Sequence, residues 1–159
     1  MGQEIERKFL VSGDGWRSEP GKETEIVQGY IAVGDKAQVR VRILNGTSAV
    51  ITIKDCKQEL VRQEFEYPIP LSDARAMLAL RTGNLIEKTR RRIQRDGVLW
   101  EIDCFRGELD GLILAEVELD VPEKTISLPD WLGREVTGDP NYYNVMLALG
   151  PEAIRFKSD

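Results

Sequence analysis

Apolar and polar residues alternate singly along most of this chain, and a period of two reads as β-strand because successive side chains on an extended backbone point to opposite faces. In the first ten residues Glu4, Glu6 and Lys8 alternate with Ile5, Arg7 and Phe9, which spaces the three charges about 6.5–7 Å apart on one face. Glu25 to Val33 sets Ile26, Gln28, Tyr30 and Ala32 against Val27, Gly29, Ile31 and Val33, and Ala37 to Leu44 sets Val39, Val41 and Ile43 against Arg40 and Arg42. Further strands are predicted over Ser48 to Lys54, Leu60 to Ile69, Leu85 to Gln94, Val98 to Phe105 and Leu112 to Val121. Asn45-Gly46 and Asp96-Gly97 mark hairpins, since both dipeptides tolerate positive φ.

Two segments leave this period. From Ser72 the apolar positions Ala74, Met77 and Leu78 fall at helical spacing, with Ser72 available as a cap and Gly83 as a stop. Asp139-Pro140 reads as a second helix start, with Tyr143, Met146, Leu147 and Leu149 on its apolar side and Gly150-Pro151 ending it. A short helical turn is expected at Asp14 to Arg17, and Ile126 to Gly133 reads as a link turning at Pro129-Asp130-Trp131. No repeat or low-complexity segment divides the chain, so a single domain over residues 1–159 is expected.

Composition narrows the chemistry. A net charge of −5 and a pI near 5.0 argue against broad adhesion to nucleic acid or an anionic membrane. No apolar run reaches the ~20 residues of a membrane span and no signal-like segment opens the chain, so the cytoplasm is the expected location. Histidine is absent, and Cys56 and Cys104 are isolated, which excludes Cys/His zinc sites and histidine-dependent triads. A bound metal would therefore be held by carboxylates, pointing to magnesium, manganese or calcium.

The strand faces then combine into a pattern. Acidic pairs stand at Glu4/Glu6, Glu64/Glu66, Glu101/Asp103 and Glu116/Glu118; basic groups stand at Arg40/Arg42 and Lys88/Arg90/Arg92, with Lys8 and Lys54 besides. An open antiparallel sheet with one wet face would read this way, its cross-strand charge pairs contributing only about 0.2–1 kcal/mol each. A closed barrel whose charged faces line a channel would read the same way. Acids clustering with acids and bases with bases repel unless a ligand relieves them, and the ligand that fits is a polyphosphate accompanied by a divalent metal.

These residues resemble the CYTH, or triphosphate tunnel metalloenzyme, superfamily. The likeness rests on Glu4-Ile5-Glu6-Arg7-Lys8, Gln28-Gly29-Tyr30, Val39-Arg40-Val41-Arg42, Thr52-Ile53-Lys54, Glu64-Phe65-Glu66-Tyr67, Glu87-Lys88-Thr89-Arg90, Trp100-Glu101-Ile102-Asp103, Ala115-Glu116-Val117-Glu118-Leu119 and Glu135-Val136-Thr137-Gly138-Asp139, in that order. It implies an α+β protein, predominantly antiparallel β, with a closed eight-stranded barrel (a tunnel) and flanking α-helices. By the same resemblance Lys8, Arg40, Arg42, Lys54, Lys88 and Arg90 would grip a triphosphate, and Glu4, Glu6, Glu116 and Glu118 would hold Mg2+ or Mn2+. Glu64 and Asp103 would serve a second metal or orient water, completing with Lys8 a catalytic set. Arg92, Glu101 and Glu66 are equally explained by cross-strand salt bridges, and Tyr30 by the core.

The family commonly carries arginine where this chain has Asn141, which puts affinity or substrate choice in doubt. The resemblance to short bacterial-type members implies an inorganic triphosphatase acting on tripolyphosphate, with a small-molecule triphosphate as its partner, no nucleic acid or membrane, and a homodimer compatible with the exposed faces. Adenylyl cyclase, thiamine or nucleoside triphosphatase, and a non-catalytic polyphosphate or nucleotide sensor remain open alternatives.

Overall fold

The computed structural model describes residues 5–56, 63–121 and 124–150. Nine strands follow in chain order: β1 (Ile5–Val11), β2 (Lys22–Val33), β3 (Ala37–Leu44), β4 (Ser48–Asp55), β5 (Glu64–Ile69), β6 (Thr82–Arg95), β7 (Val98–Phe105), β8 (Ile113–Leu119) and β9 (Leu132–Glu135). Helix α1 (Leu71–Leu78) lies between β5 and β6, and α2 (Asn144–Leu149) follows β9. The sheet order is β5-β4-β3-β2-β6-β7-β8-β1-β9. The expected class, mainly antiparallel β with flanking helices, is what is found, but among the described residues the sheet is not closed by hydrogen bonds: β5 and β9 stand at the two ends of that order.

The described residues divide into two compact units, those within 25–87 and 139–150, and those within 5–24 and 88–138. In the first, the apolar faces of β3 and β4 supply Val41, Ile43 and Ala49, which pack against Ala74 and Leu78 of α1. The approach of helix to sheet is close at Gly29, where a Cβ would lie 3.0 Å from a Leu78 methyl. In the second, Phe9, Ile93, Trp100, Ile102, Ala115, Val117 and Leu119 come from alternate positions of β1, β6, β7 and β8 and close over Trp16 and Trp131. Phe9 and Trp131 both contact the Trp100 ring, at centroid distances of 5.9 and 5.7 Å.

Departures from the expected elements have local causes. Helix α1 starts at Leu71 with Pro70 as its cap position, so Ser72 lies inside the first turn and makes no cap hydrogen bond. The α1 end is finished by Arg81, whose guanidinium donates to the Leu78 carbonyl at 2.9 Å; Gly83 lies beyond it within β6, at φ +74°. A ninth strand, β9, begins at the end of the segment expected as a link over Ile126 to Gly133 and pairs with β1 through Phe9↔Glu135 and Val11↔Leu132. The expected single helix from Asp139 is broken: Asp139 caps a 3-10 turn over Pro140–Tyr142, and Tyr143, at ψ 135°, separates that turn from α2. The Asp14 to Arg17 turn is present as a 3-10 turn over Gly15–Ser18, while the expected start of the fifth strand at 60–62 lies outside the described residues.

Candidate functional site

In the second unit, strand register gathers the charged positions onto one face. Strands β1 and β8 pair antiparallel with Glu6↔Glu118 and Lys8↔Glu116; β7 and β8 place Glu101 opposite Glu116; β6 and β7 place Arg90 opposite Asp103, Arg92 opposite Glu101 and Lys88 opposite Phe105. Directly paired residues share a face, so all of these point away from the Trp100 core. Lys8 Nζ lies 3.1 Å from Glu116 Oε1, and Lys88 Nζ 2.8 Å from Asp103 Oδ2. Arg90 grips Asp103 with both arms, Nε to Oδ1 at 2.7 Å and Nη2 to Oδ2 at 2.9 Å, and reaches Glu101 with Nη1 at 3.3 Å. Arg92 Nε donates to the same Glu101 oxygen at 3.0 Å. The Lys88 ammonium also stands 5.4 Å from the centre of the Phe105 ring, a cation–π contact.

Burial makes this cluster unusual for surface charge: Lys88 is 0% exposed, Asp103 3%, Lys8 and Arg90 6%. Burial alone would raise the Asp103 carboxyl, yet the charge of Lys88 and the hydrogen bonds and charge of Arg90 carry it well below the carboxylate range. Burial likewise opposes ionisation of Lys8 and Arg90, but Glu116 and Glu6 raise the first and Asp103 the second. Glu116 is held low by Lys8, Arg90 and Lys88 against both desolvation and the repulsion of Asp103. Lys8, Arg90, Asp103 and Glu116 are thus each held in the charged form near neutral pH, with Asp103 saturated by its two cationic partners and poorly suited to accept a proton.

The first unit carries a second charged face. Register sets Gln28 opposite Arg42, Tyr30 opposite Arg40, Arg40 opposite Thr52, Thr52 opposite Glu66 and Lys54 opposite Glu64. Arg42 Nε donates to Gln28 Oε1 at 2.7 Å, and the Thr52 hydroxyl to Glu66 Oε1 at 3.1 Å. Gln28, Tyr30 and Thr52 are buried there, at 0, 4 and 1% exposure. Arg40, Arg42, Lys54 and Glu64 are half-buried, and Glu66 is exposed.

The expected site residues therefore fall into two sets, Glu6, Lys8, Lys88, Arg90, Asp103, Glu116 and Glu118 in one unit and Arg40, Arg42, Lys54 and Glu64 in the other. Glu4 lies outside the described residues. Among the described residues no group of three or more acidic or thiol side chains is placed to hold a metal. Glu6 and Glu118 nevertheless face each other directly across β1 and β8, a like-charged pairing that costs stability unless a cation intervenes, and their oxygens suit a hard divalent ion. The Arg92–Glu101 bridge and the Thr52–Glu66 bond account for those two carboxylates as salt-bridge and hydrogen-bond partners. Phe105, under Lys88, was not anticipated; it follows Glu101 and Asp103 at the same two-residue spacing. Asn141 is committed locally, its backbone and side-chain nitrogens both donating to Asp139 Oδ1. No helix among the described residues is long and apolar enough to cross a membrane.

A CYTH domain model matches residues 2–143 of this chain. The inorganic triphosphatase of Acetivibrio thermocellus is 43% identical over 152 residues, covering 95% of this chain and 96% of that protein. The inorganic triphosphatase of Nitrosomonas europaea is 38% identical over 154 residues, covering 92% and 97%. The crystal structure of the inorganic triphosphatase NE1496 superposes with a TM-score of 0.71 at 35% identity, covering 94% of this chain and 97% of that one.

Proposed function

The chain belongs to the CYTH domain family, and we propose that it is a metal-dependent inorganic triphosphatase, a single catalytic domain over residues 1–159 that hydrolyses tripolyphosphate to diphosphate and phosphate in the cytoplasm. The observation that carries this reading is the buried cluster of Lys8, Lys88 and Arg90, each paired with a carboxylate and aimed away from the core. Buried ion pairs are weak sources of stability, since apolar residues of like volume do as well. Retaining three buried cations on one face makes physical sense where they must meet an anion. Likeness to relatives named inorganic triphosphatases supplies the substrate.

In this reading Lys8, Lys88, Arg90, Arg40, Arg42 and Lys54 bind phosphate oxygens through charge-assisted hydrogen bonds. Asp103 fixes Lys88 and Arg90 in place, because both of its oxygens are already engaged by them. Glu64, half-buried opposite Lys54, orients the attacking water. Water attacks a terminal phosphorus in line, the bond to the bridging oxygen breaks, and that oxygen leaves with diphosphate; positioning and charge neutralisation by the cations lower the barrier. Glu6, Glu116 and Glu118, with Glu4, would hold Mg2+ or Mn2+, two ions in all. A bound cation of this kind neutralises phosphate charge and orients the substrate.

A panel of tripolyphosphate, ATP and thiamine triphosphate with magnesium or manganese tests this directly. We expect phosphate release from tripolyphosphate to dominate, to vanish with EDTA and to return with metal. Glu118→Gln is expected to abolish turnover while leaving the melting temperature within a few degrees, since Glu118 is exposed. Tight tripolyphosphate binding with no turnover under any metal would refute the enzyme in favour of a sensor, and cyclic AMP as the main product would refute the hydrolase.

A further inference from the structure

Gln28 sits at the middle of β2, fully buried at 0% exposure, on the charged face of the first unit. Its two amide atoms have different fates. The oxygen accepts from Arg42 Nε at 2.7 Å, while Nε2 finds no acceptor among the described residues. The orientation is unambiguous, because a guanidinium N–H can be answered only by the amide oxygen; exchanging the two atoms would set donor against donor. A buried, unanswered amide N–H2 is costly, and methionine or leucine would fill the same space without that cost. On the same face, Arg40 Nε is also a buried donor without a partner among the described residues, and Tyr30 and Arg40 are direct cross-strand neighbours two residues along from Gln28 and Arg42. Two unanswered donors, one of them on the Arg40 guanidinium, on the same face as the Arg42 guanidinium describe a place for oxygen atoms of an anion.

We propose that Gln28 is a substrate-binding residue: Nε2 donates to a phosphate oxygen of the polyphosphate, and Arg42 holds the amide in the one orientation that permits it. This rests on the triphosphatase reading above and adds a neutral donor to its cationic set. Arg42 gains a partner that keeps its Nε fixed without neutralising its charge, which a carboxylate at position 28 would do. The arrangement leaves Arg42 at full strength toward the substrate and turns the amide into a directional probe for oxygen lone pairs.

The decisive variant is Gln28→Glu. A carboxylate still accepts from Arg42, and Arg40 and Arg42 keep it ionised, but it presents negative oxygen where the amide presented N–H. We expect KM for tripolyphosphate with magnesium to rise by at least about tenfold, and up to about a hundredfold, the range for losing one hydrogen bond to a charged acceptor. The rise in melting temperature that tripolyphosphate gives the wild type should be lost, while kcat changes less than KM. Gln28→Met, which removes donor and acceptor but keeps bulk, should fold with an unchanged or higher melting temperature and show a similar rise in KM. If Gln28→Glu binds as tightly as wild type while Gln28→Met does not, Gln28 merely orients Arg42 and the proposal is overturned. Normal KM in both variants overturns it as well. A wild type that neither turns over tripolyphosphate nor is stabilised by it overturns the parent reading, a result visible before any variant is made.

Discussion

Asp103→Asn is the most informative single perturbation of the buried cluster, because it preserves shape and removes one charge. The wild-type carboxylate receives Lys88 Nζ at 2.8 Å and Arg90 at 2.7 and 2.9 Å, with Lys88 0% and Arg90 6% exposed. Removing one partner of a buried charge group costs about 3–5 kcal/mol, since the remaining ions are left uncompensated. At about 2–4 °C per kcal/mol for a chain of this size, melting should fall by roughly 6–20 °C. The pH dependence follows from the depressed carboxyl. Its stabilising contribution is present above the ordinary value of 3.8 and is lost as pH falls toward the folded value. Denaturant titrations should therefore show a constant gap between wild type and variant from about pH 8 to pH 5, narrowing below about pH 4. A gap under about 2 °C in melting temperature at neutral pH, or one that persists undiminished in strong acid, would show that the Asp103 charge does not compensate Lys88 and Arg90. The combined variant Lys88→Met, Arg90→Met, Asp103→Leu separates stability from function: melting should recover to near or above that of wild type, as apolar replacement of buried ion groups commonly allows, with tripolyphosphate turnover abolished.

Two further perturbations test the frame around the site. Gly83 has φ +74°, and a Cβ there would lie 2.5 Å from the Ala148 carbonyl oxygen of α2; Gly83→Ala should cost about 2–6 kcal/mol from the left-handed backbone and the clash together, read by urea denaturation. Arg7 and Glu135 form a bidentate pair on the outer face at 3.1 and 2.7 Å, but both are about a third exposed, so Glu135→Gln should change stability by no more than about 1 kcal/mol and leave turnover unchanged.

Which residues share a face was legible in the sequence even where strand ends were not. Strand β6 begins at Thr82, three residues before its expected start, and β2 begins at Lys22, also three early, yet neither error moves Lys88, Arg90 or Gln28 to the other face, because a period of two depends on parity alone. Strand β9 escaped because Leu132-Gly133-Arg134-Glu135 has no alternation to read. It is an edge segment set by its neighbour: a Cβ at Gly133 would come within 3.2 Å of the Leu10 carbonyl oxygen, so glycine there reflects close approach to β1 and resembles a loop in sequence. The split between the Pro140 turn and α2 was hidden for a related reason, since Tyr143 fits the apolar helical spacing while its backbone is extended.

Who pairs with whom is a harder question than which way a side chain faces, and the hairpins show where the limit lies. Asp96-Gly97 forms a two-residue turn, with Arg95 opposite Val98; counting back along both strands gives Arg92 opposite Glu101 and Arg90 opposite Asp103 from that turn alone. Asn45-Gly46 carries the same signal, but Leu44 pairs with Ser48 across a loop that also includes Thr47. A two-residue turn there would have set Arg40 against Ile51 in place of Thr52, mixing a charged face with an apolar one, so the demand that Val41 and Ile43 pack on α1 selects the longer loop. For β1 and β8 no turn exists to count from: Lys8 and Glu116 are more than a hundred residues apart, and their pairing is fixed by packing of Phe9 with Ala115 and Val117 on the reverse side. The opening Glu-x-Glu-x-Lys therefore acquires its partners from the core behind it, and the part of the site most distant in sequence is the part that only the assembled sheet specifies.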